Sequence, residues 1–130
     1  MIVLDASAAL ELLLRGPAAA AIAARVFRPR ESLHAPQLLD LEVAQVVRRY
    51  WLAGDLSADR GREALTDLAD LPLERYPHEP LLSRIWALRH NATAYDAAYL
   101  ALAEALGAPL LTRDARLASV PGVAAEVDVV

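Results

Sequence analysis

The sequence holds 130 residues, 17 acidic and 13 basic, for a net charge of −4, with 56% apolar residues and no cysteine. That length supports one hydrophobic core and is short for two, so residues 1–130 are expected to form a single domain. The missing cysteines exclude disulfides and thiolate zinc sites, and His34, His78 and His90 are too dispersed for a local metal motif, so any metal site has to be built mostly from carboxylates.

No apolar run is long enough to span a bilayer, and the opening "MIVLDASAALELLL" carries Asp5 and Glu11 without the basic flank of a signal peptide; a cytoplasmic protein is the expectation. The negative net charge argues against coating nucleic acid through bulk electrostatics. Every one of the 13 basic residues is Arg, whose planar fork suits phosphate, but an Ala-rich, Lys-free chain is also what a GC-rich codon bias produces.

Residues 2–4 form a short continuous apolar run ahead of Asp5, the pattern of a strand buried on both faces. Helical patterns follow over 6–14 and over 17–27, the second with Pro17 in its first turn. A short strand at 33–35 precedes Pro36, which fits the first turn of a helix over 36–53 closed by Gly54. Ser57 caps a helix over 57–71, and "LERY" at 73–76, ending at Pro77, reads as a half-exposed strand. Helices over 79–90 and 94–106 come next, the latter stopped by Gly107. A second short, largely apolar run, "PLLT" at 109–112, reads as another strand buried on both faces, and 125–130, with Glu126 and Asp128 alternating with apolar residues, is a second half-exposed strand.

Strands alternating with helices imply a parallel sheet with right-handed crossovers and helices on both faces. Central apolar strands and half-exposed edges give a five-stranded α/β fold of order 3-2-1-4-5. Its switch point lies between the first and fourth strands, where open α/β sheets bind ligands at the carboxyl edge.

Acidic residues gather at that edge. Asp5 ends the first strand, Asp114 follows the fourth, and Glu42 and Asp96 lie in the opening turns of helices that start there. Asp96 shares a helical face with Tyr99, Leu100 and Ala103, expected to turn inward, where an unpaired carboxylate is costly. Each has a plain structural alternative: Asp5 and Asp114 suit N-caps, and Thr93 to Asp96 has capping-box spacing. Asp40 faces the opposite side of its helix from Glu42, and periodicity does not choose between them. Capping alone would accept Ser, Thr or Asn, whereas four convergent positions all carry carboxylates. Like charges that close raise one another's pKa unless a divalent cation neutralises them, and hard oxygen ligands suit Mg²⁺ or Mn²⁺.

The stretches "MIVLDASAAL", "APQLLDLEVAQVVRR" and "TAYDAAYLALAEALGAPLLTRDARLA" resemble the PIN-domain ribonucleases, and within them the VapC-type toxins of bacterial and archaeal toxin-antitoxin pairs, over essentially the whole chain. The resemblance implies a PIN-like three-layer sandwich and Mg²⁺-dependent hydrolysis of RNA, with Mn²⁺ as the alternative ion. Its acidic positions fall on Asp5, Glu42 rather than Asp40, Asp96 and Asp114. Asp5 and Asp96 are then the foremost direct metal ligands, with Asp114 also at the metal; Asp114 and Glu42 bind it through water or hold the attacking water. Ser7 and Thr112 match hydroxyl positions beside the site, and Arg113 is a candidate phosphate contact.

The resemblance also implies a homodimer and an antitoxin whose C-terminal segment covers apolar grooves. A mean hydropathy of +0.28 agrees with a covered helical surface around 18–27 or 43–51. A non-catalytic PIN-fold RNA-binding or scaffolding domain is the alternative. A phosphoacceptor receiver would want a Lys near the acids, and a D-x-D phosphatase a second Asp where Ser7 stands.

Overall fold

The computed structural model describes residues 1–130. Strands β1 (Ile2–Leu4), β2 (Leu33–Pro36), β3 (Leu73–Tyr76), β4 (Leu110–Thr112) and β5 (Val127–Val129) form one all-parallel sheet in the order β3-β2-β1-β4-β5. Helices α1 (Ala6–Leu13), α2 (Ala19–Val26), α3 (Leu38–Leu52), α4 (Ala58–Asp70), α5 (Leu82–Ala87) and α6 (Ala94–Leu106) connect them, with 3₁₀ turns at Glu79–Leu81 and Ala115–Ser119. This is the expected strand order. Its cause is visible in burial: β1 and β4 are buried at every position, whereas β3 and β5 are partly open.

From β1 the chain steps outward through β2 to β3, then returns to β4 on the other side. Right-handed crossovers in opposite directions put α1–α4 on one face and α5–α6 on the other. Accordingly α1 packs on α2, α3 and α4, while α6 lies across β1, β2 and β4 with α5 against it. A cluster of 28 buried residues fills both layers, with Val3, Leu4, Leu100, Leu110 and Leu111 fully enclosed. Each aliphatic side chain buried in this way contributes roughly 1.5–3 kcal/mol. The carboxyl ends of β1 and β4 are therefore anchored by the best-packed part of the molecule. No helix is long and apolar enough to cross a membrane.

Punctuation decides where the helices begin and end. Ser57 Oγ accepts from Arg60 N at 3.1 Å to open α4, and Gly107, at φ 61°, closes α6 in a left-handed conformation that costs a glycine nothing. Three boundaries differ from expectation. Pro36 ends β2 instead of opening α3: it lies beyond the reach of β1, pairs in register with Tyr76 of β3, and the next N–H, of Gln37, donates to Tyr76 O at 2.9 Å. A proline is tolerated there because its missing donor faces no partner strand. Pro17 stands two residues ahead of α2, which starts at Ala19. The expected helix over 79–90 is broken into the 3₁₀ turn containing Pro80 and the short α5.

Candidate active site

At the carboxyl edge between β1 and β4, a cleft of about 540 Å³ is lined by Asp5, Glu42, Asp96 and Asp114, with Tyr99 and Arg116 beside them. Each acid arrives from a different element: Asp5 from the end of β1, Glu42 from α3, Asp96 from the first turn of α6 and Asp114 from the turn after β4.

Asp5 is 5% exposed and its carboxylate accepts three hydrogen bonds. Ser7 Oγ donates to Oδ1 at 2.7 Å, Ala8 N to Oδ1 at 3.0 Å, and Thr112 Oγ1 to Oδ2 at 2.6 Å. The capping reading is therefore correct for Asp5, and it is incomplete, since two hydroxyls, Ser7 from the first turn of α1 and Thr112 from the end of β4, also converge on it. Burial nevertheless wins over these donors and raises its pKa above the ordinary carboxylate value, with a smaller push from Asp114. Thr112, itself fully buried, accepts from Asp114 N at 2.9 Å, and Ser7 Oγ accepts from Arg113 N at 2.9 Å, so the two hydroxyls stitch β1 to the turn after β4.

Glu42 faces the cleft and accepts from Tyr99 OH through Oε1 at 2.7 Å; burial is the main cause of its raised pKa, with repulsion from Asp5 and Asp96 adding to it. Asp40 turns away and pairs with Arg75 at 2.7 Å. Tyr99, buried among these acids, is held neutral by its burial and by Glu42.

Asp96 resolves its own ambiguity. Thr93 Oγ1 accepts from Asp96 N at 3.1 Å, so Thr93 is the cap, but the reciprocal bond from Thr93 N to the Asp96 carboxylate is not made. That carboxylate lines the cleft and accepts no hydrogen bond.

Asp114 caps the following 3₁₀ turn by accepting from Arg116 N at 3.0 Å, and it is gripped by the Arg116 side chain, with Nε to Oδ1 at 3.0 Å and Nη2 to Oδ2 at 2.6 Å. The guanidinium holds the Asp114 carboxyl below the ordinary carboxylate value. Arg113 lies elsewhere: its guanidinium donates to the carbonyl of Val130. The arginine that reaches the acidic cleft from this turn is Arg116.

The donor set favours a hydrated hard cation. A carboxylate offers about four lone-pair sites. Asp5 keeps one on Oδ2, Glu42 keeps Oε2, and Asp96 keeps all of its own, whereas Arg116 takes up those of Asp114. No three acidic or histidine groups stand close enough to enclose an ion by themselves. Mg²⁺ retains several waters and needs only one or two direct carboxylates, a requirement Asp5 and Asp96 fit.

The four acids of the cleft are legible in the sequence, but the roles of two groups that set their chemistry, Tyr99 and Arg116, are not. Tyr99 was recognisable as sharing a face with Asp96, three residues away, but its bond to Glu42 spans 57 positions. The grip of Arg116 on Asp114 depends on the 3₁₀ turn, which no apolar period announces.

The PIN domain family matches residues 2–123 of the chain. Ribonuclease VapC1 of Mycobacterium tuberculosis is 46% identical over 129 residues, covering 98% of this chain and 96% of the relative. Ribonuclease VapC12 of the same organism is 44% identical over 130 residues, covering 100% and 99%. Among solved structures, VapBC2 from Rickettsia felis, bound to a DNA fragment from their promoter, superposes with a TM-score of 0.70 at 14% identity, covering 98% of each chain. Matched along nearly its whole length by sequence and by fold, this chain belongs to the PIN-domain family, in its VapC branch.

Proposed function

We infer that the protein is an endoribonuclease that needs a divalent cation and serves as the toxin of a VapBC-type pair in the cytoplasm. The observation that carries this reading is the convergence of Asp5, Glu42, Asp96 and Asp114 on one cleft with lone pairs left open on the first three. The likeness to VapC1 and VapC12, both named ribonucleases, supports it.

When bound, Mg²⁺ or Mn²⁺ supplies a polarised water and offsets the charge that develops on the transferring phosphate. Asp5 and Asp96 would hold the cation, both lining the cleft with lone pairs left open. Ser7, Ala8 and Thr112 fix the Asp5 carboxylate in one orientation, as outer partners do for metal ligands generally. Glu42 is oriented through Oε1 by Tyr99, which leaves Oε2 open to accept a proton from the attacking water. Asp114, gripped by Arg116, would bind the cation through water or hold the attacking water.

For partners, we infer a homodimer and an antitoxin. An apolar groove between α3 and α4, lined by Val47, Trp51 and Leu65, and the exposed Phe27 and Leu52 offer surface for other chains. The Rickettsia felis structure, that of a VapBC pair, supports a partner of that kind.

Purified protein assayed on single-stranded RNA tests the core of this reading. Cleavage should require Mg²⁺ or Mn²⁺, stop with chelator, and vanish in Asp96→Asn while the melting temperature in chelator is unchanged or raised. Full activity in chelator would overturn the mechanism. Retained activity with a stability loss near ~1 kcal/mol would return Asp96 to a capping role.

A further inference from the structure

A second cleft, of about 520 Å³, adjoins the acidic one and shares Asp96 and Arg116 with it. Its remaining wall runs from the end of α5 into the cap of α6 and carries Arg89, His90, Asn91 and Thr93. The two clefts differ in chemistry: one gathers four carboxylates, the other gathers donors.

These donors are largely uncommitted. Arg89 lies 4.6 Å from the Trp86 ring centroid and gives one N–H to Trp86 O at 2.9 Å, which fixes its plane and leaves most of its five N–H groups free. The ion pairs of the molecule include neither Arg89 nor His90. Both side chains are exposed, so they contribute little to folding.

A chain of net charge −4 does not draw a polyanion by bulk attraction, and the carboxylates of the acidic cleft repel it. The attraction has to be local. We propose that this second cleft is a subsite for the phosphodiester backbone of the RNA strand next to the scissile bond. Arg89 and His90 contact a neighbouring phosphate, and Arg116 stands where the two clefts join. The proposal rests on the ribonuclease reading and adds to it a direction for the strand, from the acids past the N-terminus of α6 toward Arg89.

Fluorescence anisotropy with a labelled single-stranded RNA in chelator, titrated with salt, tests this without turnover. The double variant Arg89→Ala with His90→Ala should bind about tenfold more weakly. Its salt dependence should be shallower by about 0.7 in log–log slope for each phosphate that the variant no longer neutralises. Arg89→Lys should keep most of that slope, and Arg28→Ala, which removes an exposed charge far from the cleft in sequence, should leave it unchanged. In Mg²⁺ the double variant should raise KM for RNA with kcat near wild type. Equal affinity and slope in the double variant and Arg28→Ala would overturn the subsite while leaving a cleaving wild type intact. A wild type that neither binds nor cleaves RNA would overturn the ribonuclease reading and the subsite together.

Discussion

Asp5 and Asp114 occupy matching places in the fold. Each leaves a central strand at its carboxyl end and caps the helical turn that follows. Their surroundings are opposite. Asp5 is enclosed and met only by neutral donors, so burial lifts its pKa; Asp114 is more open and met by a guanidinium, which lowers it. The same local grammar of strand, acid and helix therefore yields one carboxylate left frustrated and one already satisfied. A group left frustrated by the fold is the one that gains most from a cation.

The largest expected effect separates the two directly. Asp5→Asn should reduce RNA cleavage by more than ~100-fold, exceeding the loss typical of removing an outer partner of a ligand. Asp114→Asn should reduce it less, because Arg116 already neutralises that carboxylate. Steady-state rates at saturating Mg²⁺ decide the matter, and equal losses would mean that Arg116 releases Asp114 during turnover.

Next come the groups that orient the acids. Tyr99→Phe removes the donor to Glu42 Oε1 and Thr112→Val removes the donor to Asp5 Oδ2. Each should lower cleavage by roughly 10- to 100-fold. Tyr99→Phe should cost only about 1 kcal/mol in stability, the net worth of one hydrogen bond. Thr112→Val should cost more, since it also strands Asp114 N without its acceptor. Urea denaturation alongside the rate measurement distinguishes lost orientation from lost folding.

Stability against pH in chelator should move in opposite directions at the two aspartates. Asp5 holds its proton more tightly folded than unfolded, so its contribution is full below the ordinary value of 3.8 and is lost as pH rises through its raised folded pKa. Asp114 binds its proton less tightly folded, so its contribution is full above 3.8 and is lost as pH falls through its lowered folded pKa. Melting at neutral pH should therefore rise by a few degrees in Asp5→Asn and fall slightly in Asp114→Asn. Below pH 3.8 both differences should shrink. Calorimetric scans of the three proteins across this range would expose a matching sign, which would refute the contrast.

What the sequence made legible follows the same physical divide. The apolar runs at Ile2–Leu4 and Leu110–Thr112 announced strands covered on both faces, and with the mixed pattern of Leu73–Tyr76 they dictated the sheet order. The positions of the four acids followed from that order, because a helix after a parallel strand begins at the carboxyl edge. Proline boundaries were less legible, since a missing N–H is equally harmless in a first helical turn and past the end of a neighbouring strand, and only the shortness of β1 puts Pro36 in the second class. The partners of the acids were not legible from local pattern: the family resemblance put Ser7 and Thr112 beside the site, but nothing in the sequence assigned them to Asp5 or Tyr99 to Glu42. Tyr99 to Glu42 and Thr112 to Asp5 join residues 57 and 107 apart, distances over which no local period carries information.

The smallest expected effect falls on the acid that periodicity could not separate from Glu42. Asp40 leans from α3 onto Arg75, whose Nε donates to Oδ2 at 2.7 Å, while Oδ1 is buried without a partner. Its side chain remains 41% exposed, so solvent screens the pair and an attraction of this kind is worth at most ~1 kcal/mol. Asp40→Asn keeps an acceptor for Arg75 and lets the amide take either orientation, which offsets part of even that loss. Cleavage should stay at the wild-type level and the melting temperature should shift by no more than a couple of degrees. Loss of cleavage in Asp40→Asn with intact folding would contradict the assignment of Glu42 as the working acid of α3, because Asp40 reaches the cleft in neither its side-chain direction nor its partners.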